Sequence, residues 1–176
     1  MNQLSRHVVL VALVSLALSS TARAQRKALA PQQSDRPLLG PQIGVATNNL
    51  NVYIGAQFAY PVAKQFDIYP SLDYYFPSNA YSGFGVSVTV WALNADVRYW
   101  PKLSMPNAGL YVGGGLNYTH YSASVPGVGG SGSNTGLGLL GGWDFKTVNW
   151  RPFGQIRFVI GNGNRFEFGG GVNFKL

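Results

Sequence analysis

The chain has 176 residues, of which only 11% are charged and 14% are aromatic, with a net charge of +7. Soluble domains usually carry about 25% charged residues, so this chain is short of the material for a water-facing surface. Having no cysteine, it can make no disulfide, no thiol nucleophile and no lipid-modified N-terminal cysteine.

The N-terminus reads as an export signal. Arg6 and His7 precede an apolar run over 8–18, and Ala22-Arg23-Ala24 supplies a small-x-small cleavage site. This is the three-part pattern of a secretory signal peptide over 1–24, and the run is too short for a spanning helix. Residues 25–37, QRKALAPQQSDRP, bury little and are expected to form a disordered periplasmic linker. One domain over 38–176 remains, about 140 residues. The positive charge is spread thinly, with Arg6 and Arg23 in the leader and Arg26, Lys27 and Arg36 in the linker. No basic patch forms, and nucleic acid is not an expected partner.

Eight segments of strand character follow, near 39–47, 52–61, 66–77, 86–100, 108–121, 135–146, 152–161 and 165–176. Most approach the ~9–11 residues that a tilted strand needs to cross a bilayer. The connections alternate in character. Those at 61–65, 101–107 and 147–151 carry Lys64, Lys102 and Arg151, whereas those at 47–51, 79–85, 122–134 and 161–164 have no charge and are rich in Gly, Ser and Asn. An even strand number with both termini in the periplasm puts the basic set at periplasmic turns and the neutral set at the cell surface.

A period of two separates apolar from polar residues. Phe66, Ile68 and Leu72 oppose Asp67 and Asp73, and Leu93, Ala95, Val97 and Tyr99 oppose Asn94, Asp96 and Arg98. Leu137, Leu139, Trp143 and Phe145 oppose Asp144 and Lys146, while Ile156, Phe158 and Ile160 oppose Gln155 and Arg157. In the last segment Phe166, Phe168, Val172, Phe174 and Leu176 oppose Glu167, Asn173 and Lys175. Acids and bases therefore share one face. Single buried charges cost several kcal/mol each, so a luminal ion-pair network of Asp67, Asp73, Asp96, Arg98, Asp144, Lys146, Arg157 and Glu167 is expected. A tight turn at 161–163 places Arg157 opposite Glu167 and predicts that these two pair. In the fourth segment Val86, Val88 and Val90 change parity with respect to 91–99, which calls for a bulge near Val90–Trp91 or a strand end beyond the membrane.

Aromatic residues cluster near segment ends, and Tyr53, Tyr60, Tyr99, Trp100, Trp143, Trp150 and Phe174 are assigned to interfacial girdles. A soluble lipocalin-like barrel shares the alternation. Low charge, basic turns and a chain that ends inside a strand favour the membrane. The fold expected is an all-β, eight-stranded, antiparallel up-and-down transmembrane β-barrel.

On these features the chain resembles the small outer-membrane β-barrel superfamily that includes OmpA-like, OmpX-like and OmpW-like proteins, over roughly 38–176. The stretch YVGGGLNYT at 111–119 is similar to a run in OmpW-type proteins, and Leu176 stands where the family usually ends in phenylalanine. The resemblance implies a monomer in the outer membrane of a Gram-negative cell, with outer-membrane lipids and the barrel-assembly machinery as partners. It also suggests a test for lipid A deacylation, because His120-Tyr121-Ser122 matches two members of one family's triad. The third is missing: no acid occurs between Asp96 and Asp144, and Ala123 replaces the family's Asn. No enzyme activity, cofactor or metal site is expected. Two roles remain open: a structural or surface-interaction barrel plugged by Tyr69, Tyr75, Tyr111, Phe153 and ion pairs, or, as the OmpW-like stretch implies, a narrow porin-like conduit for small or apolar solutes in which Gly113, Gly115, Gly138, Gly142, Gly169 and Gly171 leave space.

Overall fold

A computed structural model describes residues 33–47, 51–76, 87–103, 105, 107–125, 128–147, 149–161 and 164–176. The leader and residues 25–32 of the expected linker lie outside the described residues. The elements are β1 (Leu38–Ala46), β2 (Asn51–Ala63), β3 (Phe66–Phe76), β4 (Ser87–Tyr99), β5 (Ala108–Val125), β6 (Val128–Phe145), β7 (Trp150–Gly161) and β8 (Arg165–Lys175). Each pairs antiparallel with its sequence neighbours, and β1 pairs with β8 to close a barrel of eight strands. Closure removes every sheet edge along the wall, which an open sheet of this apolar character could not do.

The alternation sets which face is which. In β3, Asp67, Tyr69, Ser71, Asp73 and Tyr75 are buried, whereas Phe66, Ile68, Leu72, Tyr74 and Phe76 are exposed. The same inversion runs round the barrel, with Ile43, Ile54, Leu93, Leu116, Leu139, Ile156 and Phe168 among the outward side chains. Polar atoms inside and hydrocarbon outside is the reverse of a water-soluble core.

The expected strands are all present, with two differences of substance. Of the segment 122–134, expected as a long surface loop, residues 122–125 and 128–134 are strand: the β5–β6 ladder runs from Ala108↔Phe145 to Val125↔Val128. Pairing of β6 with β7 begins only at Gly136↔Gly161, so the hairpin runs on past the barrel wall, accompanied on one side by β4 as far as Ser87↔Ser124. Glycine and serine composition suggests a loop because these side chains have nothing to pack against. The backbone groups satisfy one another across the hairpin regardless.

The second difference is in β4, where Val90↔Tyr121 and Trp91↔His120 are consecutive pairs: of the two expected devices the bulge is absent, and the strand runs on beside the hairpin instead. The change of parity is met by turning the valine inward, where Val90 packs against the buried Ala46, Tyr53, Tyr75 and Ala92. An irregularity occurs instead between Pro61 and Ala63 on β2, where proline cannot donate a ladder hydrogen bond. Residues 33–37 of the expected linker lie at the turn end of the barrel. Gln33 and Ser34 are buried, and Gln33 Nε2 donates to the Phe66 carbonyl at 2.7 Å.

Candidate functional site: the filled lumen

Inward side chains from all eight strands meet in the lumen. Nearest the basic turns, Asp67 on β3 accepts two parallel bonds from Arg98 on β4, Nε to Oδ1 and Nη2 to Oδ2, each 2.8 Å. Trp100 Nε1 donates a third bond to Asp67 at 2.9 Å. The guanidinium plane lies over the Tyr69 ring at 3.8 Å and beside the Tyr111 ring at 4.7 Å. Bidentate pairing uses the flat fork of arginine, and the flanking rings take its weakly hydrated faces. Arg151 and Asp144 form a second buried pair at 2.8 Å.

In the middle, Arg157 on β7 reaches Asp96 on β4 at 2.6 Å. Among the described residues Asp73 has amide partners and no ion pair: Gln42 donates at 2.5 Å and Asn94 at 2.9 Å. Gln155 links the walls, donating to Gln42 at 3.0 Å and accepting from Tyr69 at 3.2 Å and Tyr111 at 3.3 Å. Towards the neutral loops, Glu167 accepts from Arg165 at 2.7 Å and from the Tyr75 hydroxyl at 2.6 Å. Arg165 also donates to Thr119 at 3.1 Å, and Asn117 donates to Asn94 at 2.6 Å. The Tyr53 and Tyr75 rings meet above at a tilt of 45°, with centroids 5.3 Å apart.

Of the residues expected in the network, Asp67, Asp73, Asp96, Arg98, Asp144, Arg157 and Glu167 are buried inside. Lys146 is not among them. It follows the last residue of β6 and lines a cleft at the turn end, because the strand stops before its side chain can enter the lumen. The expected Arg157–Glu167 pair also needs correction. The two residues do stand opposite each other in the β7–β8 ladder, yet Arg157 bonds Asp96 and Glu167 bonds Arg165. The lumen is narrow enough for a long side chain to prefer the far wall. Arg151 and Arg165 were missed as luminal cations because both sit at strand ends and read as turn residues. Their parity with Arg157 and Glu167 carried the signal.

Among the expected girdle residues, Tyr60, Tyr99, Trp143, Trp150 and Phe174 face outward. Tyr53 and Trp100 do not: they are 1% and 2% exposed and belong to the lumen. Parity explains both, since Tyr53 shares the face of Gln57, and Trp100 continues that of Arg98. Glycines make room for the luminal rings: a Cβ on Gly142 would lie 2.5 Å from Tyr111 Oη, and one on Gly44 2.5 Å from Tyr53 Oη. His120 faces outward beside Trp91, centroids 5.4 Å apart, while Asp144 lies inside with Arg151. The two triad-like residues therefore have no help from that acid.

No protein-family model matches the chain, and no curated protein matches it in sequence. Solved structures do match. The N-terminal β-barrel domain of Pseudomonas aeruginosa OprF superposes with a TM-score of 0.64 at 16% identity, covering 82% of this chain and 100% of that one. Its fold is that of the eight-stranded outer-membrane barrels. Neisserial surface protein A gives a TM-score of 0.64 at 17% identity, covering 80% of this chain and 96% of that one. Ail, the attachment invasion locus protein of Yersinia pestis, gives 0.57 at 12% identity, covering 80% and 97%. At such identities the likeness concerns the barrel fold alone.

Proposed function

We propose that this chain is exported through a cleaved leader and inserted, as a monomer, into the outer membrane by the barrel-assembly machinery, where it serves a non-catalytic structural or surface-contact role with a closed interior. The observation that carries the closed interior is the occupancy of the lumen. Four ion pairs and the rings of Tyr53, Tyr69, Tyr75, Trp100 and Tyr111 fill it from the turn end to the loop end. An eight-stranded barrel encloses about the width that side chains can fill, so little remains for a solute. Two of the glycines that would open a conduit, Gly142 and Gly169, instead abut tyrosines, and Gly171 abuts the Phe153 ring. The apolar outer wall supports the membrane setting, and two structural neighbours are named for the cell surface or for attachment. The extended β5–β6 hairpin is the part that would meet that surface. Planar-bilayer recording of the refolded chain tests the closed interior: silence is expected, and discrete conductance steps would overturn it.

A further inference from the structure

At the turn end of the barrel an open cleft of about 240 Å³ lies between the ends of three strands and the segment before β1. Its lining is Gln33, Ser34 and Asp35 from that segment, Lys146 and Thr147 after β6, Arg151 at the start of β7 and Lys175 at the end of β8. We infer that this cleft is a binding site for a phosphate group, held by Lys146 and Lys175 with Arg151 behind them.

Three lining cations face Asp35 in the lining and Asp144 just inside it, which bonds Arg151, so positive charge remains in excess at the mouth. Lys175 makes no ion pair among the described residues. The Lys146 ammonium is held below its ordinary pKa by partial burial and then by the neighbouring Arg151 guanidinium, against the opposing pull of the Asp144 carboxylate. Like charges crowded at one mouth are relieved by an anion, and a phosphate oxygen can take ammonium bonds from two sides. The positions are also fixed. Arg151 is pinned by Asp144, and the Lys146 backbone N–H bonds the Asn107 carbonyl at 2.9 Å. Thr147 and Trp150 tie the β6–β7 turn together through the threonine hydroxyl. The cleft is smaller than the ~300 Å³ at which drug-sized pockets begin, which suits a headgroup phosphate or a free ion.

The location bears on the source. Phe145, Trp150 and Phe174, next in sequence to the cleft residues, point outward from the barrel wall. If the membrane reading above holds, the cleft opens at headgroup level, and a phospholipid phosphodiester can reach it. The phosphate site itself does not depend on that reading.

The test uses the full chain refolded in an uncharged maltoside detergent, titrated calorimetrically with dihexanoyl-phosphatidylglycerol or with inorganic phosphate. The expected result is saturable binding of at least one probe, weakened tenfold or more by K146Q/K175Q and unchanged by K64Q/K102Q at the other turns. Binding of the phosphodiester alone assigns a lipid source, binding of phosphate alone assigns the free ion, and binding of both assigns the shared group. The inference is overturned if neither probe binds, if K146Q/K175Q binds like the parent, or if K64Q/K102Q weakens binding as much. Heat-modifiable gel migration of each variant confirms that the barrel is folded, and insertion into vesicles is scored separately, so failure of the membrane reading is distinguishable from failure of the site.

Discussion

Removing Asp67 tests whether the luminal pairs act as a mutually dependent unit. Arg98 is 1% exposed, and its two short bonds to Asp67 are the only ion-pair contacts it makes among the described residues. Truncating one partner of a buried pair leaves the other charge uncompensated and costs about 3–5 kcal/mol. Asp67→Ala also strands the Trp100 indole N–H, worth about 1 kcal/mol more. With a urea slope of about 2 kcal/mol/M, the midpoint of unfolding should fall by about 2–3 M. Arg98→Met should cost a comparable amount, because it leaves the Asp67 carboxylate with Trp100 alone. The double variant removes both charges and lets the thioether pack among Tyr69, Trp100 and Tyr111. Its loss should fall short of the sum of the single losses by about 2–3 kcal/mol. Urea titration in phosphatidylcholine vesicles, read by heat-modifiable gel migration and tryptophan fluorescence, measures all three. Additivity within about 0.5 kcal/mol would refute the idea that the pair is desolvated and interdependent.

Two further substitutions address the outer and inner faces of the wall. Leu116 is 65% exposed, with Ala95 and Leu137 as its ladder partners; in a membrane, Leu116→Arg should cost about 2–4 kcal/mol in vesicle-refolding stability, whereas a cost near zero would indicate a water-facing wall. A Cβ on Gly142 would meet Tyr111 Oη and the Gly154 carbonyl oxygen at 2.5 Å, while one on Gly130 has nothing within 4 Å; Gly142→Ala should therefore lose about 1–3 kcal/mol and Gly130→Ala nothing measurable, and equal stabilities would contradict the packed lumen.

The face of each residue was legible along the chain wherever a strand was long and regular. Asp67, Asp96, Arg98 and Glu167 could be placed inside, and Leu139, Ile156 and Phe168 outside, because alternation needs no partner to be read. Legibility failed where composition outweighed parity. Aromatic residues near strand ends usually sit in girdles, which draws Tyr53 and Trp100 there, although Gln57, four positions from Tyr53, and Arg98, two from Trp100, share their faces and point inside. The β5–β6 hairpin failed for the opposite reason: Gly and Ser between 122 and 134 leave almost no apolar alternation, and a ladder held by backbone bonds alone has no side-chain signature.

Partner choice inside the lumen is a different problem from face, and the middle ion pair shows why. A register argument compares neighbours on adjacent strands, and on that basis Arg157 belongs with Glu167, its ladder partner. The observed partner, Asp96, lies on β4, three strands away round the wall from β7. A barrel of eight strands is so narrow that opposite walls lie within the reach of an arginine, and each long side chain then chooses among several carboxylates at similar range. Arg165, two residues from Glu167 on the same strand and face, competes for that carboxylate and holds it at 2.7 Å. Once Glu167 is engaged by Arg165 and Tyr75, Arg157 gains more by crossing to Asp96, which would otherwise be buried with no cation among the described residues. Minimising unpaired buried charge over the whole lumen, and not ladder adjacency, decides the pairing. That global condition depends on every inward residue at once, which is why strand alternation reveals the membership of the network before it reveals its bonds.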